Sequence, residues 1–201
     1  MGHGARRRGA AGDGPGGDGG PGRHPPRRLE GPLPYLGEPI PLEHEITRWD
    51  RFIERAADPA LLAGAPELRQ LLLDRRPATV DVGLAHGDFQ FTNLYYSRAG
   101  ELQAVLDWEL CTIGPTLMDV GWIATFTDPA AWAHEGAIPD GVPDADELVA
   151  QYADAAGTAL TDLDWFRALA AYKFAIITGF NLGLHRRGKR PDSLWLSLIH
   201  I

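Results

Sequence analysis

The chain has 201 residues, of which 44% are hydrophobic, and its formal net charge is −8. This length is enough for one domain with a buried core, and the acidic balance argues against nucleic acid as the main partner. Polar groups interrupt every apolar stretch before it reaches membrane-spanning length, and Cys111, the single cysteine, has no partner for an internal disulfide. No signal-peptide pattern opens the chain, so we expect a cytoplasmic protein without a membrane partner.

The first 28 residues have a different composition from the rest. They contain 10 of the 24 glycines, with six Arg and two Asp, so this segment carries +4 and residues 29–201 carry −12. Almost no large apolar side chain is present to offset the entropy lost on ordering. We therefore predict that residues 1–32 form a disordered leader.

Order is predicted to begin at Leu33, and hydrophobic periodicity indicates the elements that follow. Helical spacing predicts a helix over 42–56 and another over 67–75 that Pro66 opens. The remaining predicted elements are, in chain order, a strand over 79–84, a hairpin of 93–96 with 102–106, and helices over 115–126, 144–156 and 161–187. Thr161 and Asp164 form a capping-box pattern for the last helix.

This order of elements predicts an α+β fold that is mostly helical, with its β structure between about residues 79 and 108, and excludes a repeating βαβ sheet. The domain is expected to span 33–190 and to be followed by an irregular or truncated tail over 191–201. Five aromatic residues are expected in the core rather than at a substrate-stacking surface: Trp108, Trp122, Phe126, Trp165 and Phe174.

Polar side chains are set among bulky apolar ones in LAHGDFQFTN, residues 84–93. Asn93 begins one hairpin strand and Asp107 ends the other, so antiparallel pairing brings both to the end away from the turn. Asp88 lies on the loop that enters the same end. Two carboxylates and an amide oxygen are hard ligands that suit Mg²⁺ bound together with substrate phosphates.

The spacing of these residues is that of a kinase catalytic loop. His86, Asp88 and Asn93 give H-x-D-x-x-x-x-N, and Asp107 follows beyond a hairpin, where kinases have a metal-binding Asp. A lone H-x-D is weak support, but the ordered set with its hairpin is specific.

The stretches LAHGDFQFTNLYY (84–96) and AVLDWELCTIGPTLMDVGWIA (104–124) resemble the aminoglycoside phosphotransferase family, part of the choline-kinase-like group. The DWE form is most similar to phosphotransferase domains related to those of acyl-CoA dehydrogenase family 10 and 11 proteins. The resemblance implies a kinase-like C-lobe that transfers a phosphoryl group from ATP to a hydroxyl of a small molecule. It also implies that Asp88 is the catalytic base or a hydroxyl-orienting residue and that Asn93 and Asp107 hold Mg²⁺ on the ATP phosphates.

Three further residues are candidates for supporting roles. His86 is expected to structure the loop through hydrogen bonds rather than to carry a proton. Asp119 is either a helix-start residue or, as the resemblance implies, an acid that braces the catalytic loop. Glu109 is either a third acid near the metal, which we favour, or a solvated side chain.

A kinase also needs a glycine-rich strand-turn-strand over ATP and a lysine on a strand. The sequence has only Lys173 and Lys189, both downstream of the catalytic loop. We therefore expect the N-lobe to be absent and the 201-residue chain to be a weakly active or inactive fragment. Such a fragment is expected to bind ATP with Mg²⁺ poorly and to self-associate through exposed inter-lobe surface. The alternative is a non-catalytic kinase-like binding module. The substrate stays open between an amino sugar, a hydroxyacyl-CoA and another alcohol, with the DWE form favouring an acyl-CoA or another metabolite.

Overall fold

The computed structural model describes residues 37–56, 58–132, 138, 141–157 and 159–189. The predicted leader, the predicted tail and the boundary at Leu33 lie outside the described residues. Within them the fold is a helix-rich α+β structure with small antiparallel sheets, which confirms the predicted class.

The amino-terminal part forms short helices where one longer helix was predicted. Helix α1 spans Leu42–Thr47, α2 spans Asp50–Ile53 and α3 spans Ala65–Asp74, with Pro66 in its first turn. The break between α1 and α2 falls at Arg48 and Trp49. Trp49 is buried there in the main hydrophobic core, so tertiary packing prevails over the helical pattern of the segment.

The β structure consists of two short antiparallel ladders, one nested within the other. Strands β2 (Leu94–Tyr96) and β3 (Leu102–Val105) form the predicted hairpin. Strand β1 (Val82–Ala85) pairs with β4 (Thr112–Pro115), so that Ala85 lies opposite Thr112. The prediction that β structure ends near residue 108 is wrong, because the β4 segment pairs with β1 before the next helix begins.

The carboxyl-terminal part is helical, as predicted. Helix α4 spans Leu117–Phe126, α5 spans Ala145–Ala156 and α6 spans Leu163–Arg186, and α4 packs along α6. Gly121 permits that approach, since a Cβ there would lie 2.7 Å from the backbone of Phe166.

The capping box predicted for α6 does not form. Asp162, not Thr161, occupies the N-cap position in a left-handed conformation (φ 65°), and its side chain makes no capping bond. A Ser/Thr cap needs extended backbone at the cap position, which this turn does not provide.

The main core joins α1 and α2 to α3, α4 and α6. Its fully buried members include Ile46, Leu72, Phe166, Tyr172 and Ile176. None of the helices within the described ranges combines the length and the apolar character that a membrane-spanning helix requires.

Candidate functional site

The nesting of the ladders brings two loops together. Residues 86–93 connect β1 to β2 and residues 106–111 connect β3 to β4, so both loops lie between the two ladders. The backbone N–H of Leu106 donates to the Asn93 carbonyl at 2.8 Å, and His86 Nε2 lies 2.8 Å from the Leu106 carbonyl oxygen. The 86–93 loop and the 106–111 loop therefore form one bonded unit.

His86 is fully buried and structures the 86–93 loop. Because a carbonyl oxygen only accepts, the bond to Leu106 assigns the proton to Nε2, and Nδ1 is then free to accept from the Asp88 N–H at 3.2 Å. The ring also packs against Trp108, with 4.7 Å between centroids. Both ring nitrogens are therefore committed to the backbone, and His86 orients the peptide of Asp88.

Asp119, in the first turn of α4, binds the backbone of the 86–93 loop. Its Oδ2 accepts from the His86 N–H at 2.6 Å and its Oδ1 accepts from the Gly87 N–H at 2.9 Å. Burial raises the pKa of Asp119, against the opposing effect of these two hydrogen bonds. The two roles left open in the sequence therefore coincide, because Asp119 begins a helix and also braces the loop.

Gly87 packs closely against the 106–111 loop. Its φ of +85° is a conformation that favours glycine, and a Cβ there would lie 2.5 Å from the carbonyl oxygen of Leu110. No larger residue fits between Asp119 on one side and the 106–111 loop on the other.

The Asp88 carboxylate is half-buried and accepts hydrogen bonds from three side chains. Gln90 Nε2 donates to both oxygens at 3.0 and 3.1 Å, Asn93 Nδ2 donates to Oδ2 at 3.1 Å, and Trp122 Nε1 donates to Oδ1 at 3.0 Å. Asn93 also donates to the Asp88 carbonyl oxygen at 2.9 Å. The carboxylate is thus held in one orientation, with two hydrogen bonds accepted by each of its oxygens.

Asp107 lies on the facing loop, one residue beyond Leu106. It is exposed and adopts a left-handed conformation with φ 61° and ψ 61°. Over the described ranges, no hydrogen bond or ion pair joins it to Asp88 or Asn93. A non-glycine residue held in this strained region suggests a functional constraint.

The side chains of Asn93 and Asp107 carry the oxygen donors that a divalent cation such as Mg²⁺ prefers. In the part of the chain that the structure describes, no group of three or more His, Cys, Asp or Glu side chains is arranged to hold a metal ion. Mg²⁺ needs no such cage, because it binds through one or two protein ligands plus phosphate and water. The two bonds of the Asn93 side chain use only Nδ2. Among the residues that the structure describes, the Asn93 amide oxygen and the Asp107 carboxylate are therefore available as ligands.

Glu109 is exposed on the 106–111 loop, and over the described part of the chain no hydrogen bond or ion pair joins it to Asp88, Asn93 or Asp107. The expectation that Trp108 belongs to the core is wrong, because its side chain is 42% exposed beside His86. The bond from Trp122 to Asp88 was not predicted from the sequence. The apolar sequence of α4 predicts core positions, and Trp122 is indeed buried, so nothing in the pattern indicates a hydrogen bond from its indole.

An antiparallel hairpin that joins an H-x-D-x-x-x-x-N loop to a second acidic loop, on a helical base, defines a protein of the kinase-like class. The chain belongs to the phosphotransferase enzyme family, whose model matches residues 22–170.

Curated relatives are acyl-CoA dehydrogenase family member 11 proteins. The chicken protein is 29% identical over 157 residues, which is 71% of this chain and 19% of the relative. The human protein is 28% identical over 154 residues, with shares of 72% and 19%. This chain therefore spans about a fifth of their length.

Among solved structures, a Ralstonia eutropha protein with an aminoglycoside phosphotransferase designation superposes with a TM-score of 0.68 and 22% identity. The match covers 82% of this chain and 53% of that protein. At this identity the likeness establishes the fold, which is the kinase-like aminoglycoside phosphotransferase fold.

Proposed function

We propose that this protein transfers the terminal phosphoryl group of ATP to a hydroxyl of a small molecule. The observation that carries the proposal is the state of Asp88: three side chains orient its carboxylate on a loop whose backbone is itself bound to Asp119. A phosphotransferase needs little covalent chemistry from the protein, so a rigidly oriented base is the part that such a site must supply.

Asp88 binds and orients the acceptor. The substrate hydroxyl donates to the carboxylate, and the hydroxyl oxygen attacks the terminal phosphorus. The bond to the bridging oxygen breaks, ADP leaves, and the hydroxyl proton passes to Asp88.

Asn93 and Asp107 are the residues that would hold Mg²⁺ on the phosphates. Within the described residues, no hydrogen bond engages the amide oxygen of Asn93 or the carboxylate of Asp107, which supports this assignment. The cation offsets the negative charge that gathers on the phosphate oxygens during transfer.

The substrate class that we propose is taken from the names of the relatives. Their names describe acyl-CoA dehydrogenases, of which this chain matches about a fifth, so hydroxylated acyl-CoA compounds are the first acceptors to test and amino sugars the second. We place the reaction in the cytoplasm, where ATP is available.

The test is a single-turnover assay with the protein in excess over radiolabelled ATP, in the presence of Mg²⁺ and a panel of hydroxylated acceptors. We expect a phosphorylated acceptor with the native chain and at least about a hundredfold slower transfer with Asp88→Asn. Asp154→Asn, an exposed change on α5, is the matched control. Transfer that persists in Asp88→Asn would contradict the role of Asp88.

The rival candidate is a kinase-like module that binds without catalysis, which the exposed apolar surface of the hairpin favours. Tyr95, Leu102 and Leu106 are 62%, 51% and 48% exposed, respectively. Binding of an acceptor with no transfer under any condition, together with self-association in sedimentation experiments, would support the module over the enzyme.

A separate measurement tests the metal ligands without requiring turnover. Bound Mn²⁺, added with ATP, broadens nearby amide resonances, and we expect this effect at residues 93 and 107 to be lost in Asp107→Gly. Because glycine removes the strain of the left-handed backbone, the same variant should gain up to about 1 kcal/mol of stability. Unchanged broadening would remove Asp107 from the metal site.

A further inference from the structure

Lys173, in the middle of α6, is a buried charged residue that the proposed chemistry does not use. Its side chain is only 5% exposed, whereas Lys189, the other lysine of the chain, is exposed beyond the end of the same helix. Burial lowers the pKa of Lys173, so removing this ammonium group from water carries a free-energy cost. The residue must be matched by specific partners.

Those partners belong to the base of the 86–93 loop. Lys173 Nζ donates to the Gly87 carbonyl oxygen at 3.4 Å, and it lies 4.8 Å from the centroid of the Trp122 ring and 5.5 Å from that of Trp49. Trp122 is the indole that donates to Asp88 Oδ1. Lys173 thus contacts the residue before Asp88 and one of the side chains that orient its carboxylate.

The bond to Gly87 fixes one particular peptide plane. The Gly87 carbonyl and the Asp88 N–H belong to the same planar peptide group, and its N–H donates to His86 Nδ1. Lys173 therefore holds the oxygen side of the plane while His86 holds the nitrogen side. This plane sets the direction in which the Asp88 side chain leaves the backbone.

We propose that Lys173 is a positioning residue that orients Asp88 by binding the Gly87 carbonyl and by packing beneath Trp122. The inference rests on the proposed function, in which Asp88 is the catalytic base. Charges on neighbouring elements balance the ammonium group: Glu45 on α1, Asp119 on α4 and Asp88 on the loop act with it, and Arg48 acts against it.

The first test is amide hydrogen exchange of the 86–93 loop, measured by NMR in Lys173→Met and in Lys189→Met as the matched control. Loss of one hydrogen bond should speed exchange of the Asp88 N–H by about tenfold. Global stability should be unchanged or higher, since methionine fills similar space without a buried charge. The Trp122 indole resonance should also shift, because the cation over its ring is gone.

Unchanged exchange at Asp88 in Lys173→Met would overturn the inference. Loss of the folded state in that variant would also overturn it, since Lys173 would then be a residue of general structural importance. Exchange at Asp88 that is faster than in the native chain, in a protein that is otherwise as stable, supports it.

The second test is kinetic and uses Lys173→Arg for comparison. Lys173→Met should lower kcat by at least about tenfold with little change in the KM for ATP, and Lys173→Arg, which keeps the donor and the charge, should recover part of it. A rise in KM with kcat unchanged would contradict a positioning role. The exchange experiment requires no substrate, so its failure is distinguishable from failure of the phosphotransferase proposal, which the Asp88→Asn assay addresses.

Discussion

Replacing Asp119 by alanine tests whether the 86–93 loop depends on this single carboxylate. The substitution removes the acceptors of two backbone N–H groups, at 2.6 Å from His86 and 2.9 Å from Gly87. Hydrogen bonds to a charged group contribute about 1.5–3 kcal/mol each, which gives about 3–6 kcal/mol for the pair. The substitution also removes the free-energy cost of burying this carboxylate, since burial raises the pKa of Asp119 and so disfavours its charged form. This gain offsets part of the loss. We expect a net loss of about 2–4 kcal/mol.

Urea denaturation followed by circular dichroism measures this loss. With an m value of about 2 kcal/mol/M, the midpoint should fall by about 1–2 M without a change in slope. Asp119→Asn keeps one acceptor and should lose about half as much. Asp154→Ala, an exposed change, is the control and should stay within about 0.5 kcal/mol of the native chain.

Two outcomes would refute this reasoning about Asp119. One is a loss below about 1 kcal/mol in the alanine variant, which would mean that the two N–H groups find other partners. The other is exchange of the His86 and Gly87 amides at native rates, which would mean that the bonds to Asp119 are not formed in solution.

Two further predictions concern the backbone and pH. Gly87→Ala should lower the free energy of unfolding in urea by at least about 1 kcal/mol more than Gly100→Ala does. Both glycines have a positive φ, but only at position 87 would a Cβ meet backbone, 2.5 Å from the Leu110 carbonyl oxygen. Equal losses in the two variants would contradict the close contact. Burial lowers the pKa of Lys173 below 10.5 and raises that of Tyr172 to about 12. As the pH approaches 10.5 from below, the unfolded chain binds more protons at Lys173 than the folded chain does, so stability should rise with pH up to about 10. Above pH 10 the unfolded chain binds fewer protons at Tyr172 than the folded chain does, so stability should fall. A rise that survives in Lys173→Met, or a fall that survives in Tyr172→Phe, would contradict the assignment.

Local sequence patterns were enough to predict most of the helical fold. Helices α3 to α6 and the β2–β3 hairpin could be predicted because each has its own periodicity and turn residues within a few positions. Strand β4 could not, since its four residues end in Gly114-Pro115, which reads as a helix start. Its identity as a strand depends on pairing with β1, about 30 residues earlier in the chain.

The same division between local and distant information applies to the candidate site. The spacing of His86, Asp88 and Asn93 is local, and the structure does bring Asn93 onto Asp88. No local sequence pattern indicates the left-handed backbone conformation of Asp107. Trp122 and Lys173 act on the loop from 34 and 86 residues away, so only the packing of α4 on α6 could reveal them.

The contribution of α6 to the loop explains why a charge is kept where an apolar residue would be more stable. Asp119 binds the N–H groups of the loop and Lys173 binds a carbonyl, so opposite charges on α4 and α6 meet complementary groups of the same backbone. Together they hold the peptide before Asp88 in one orientation, and an orientation fixed before the substrate arrives requires no reorganisation during transfer. In the proposed mechanism, the free-energy cost of burying both charges therefore serves to fix the direction of the Asp88 carboxylate.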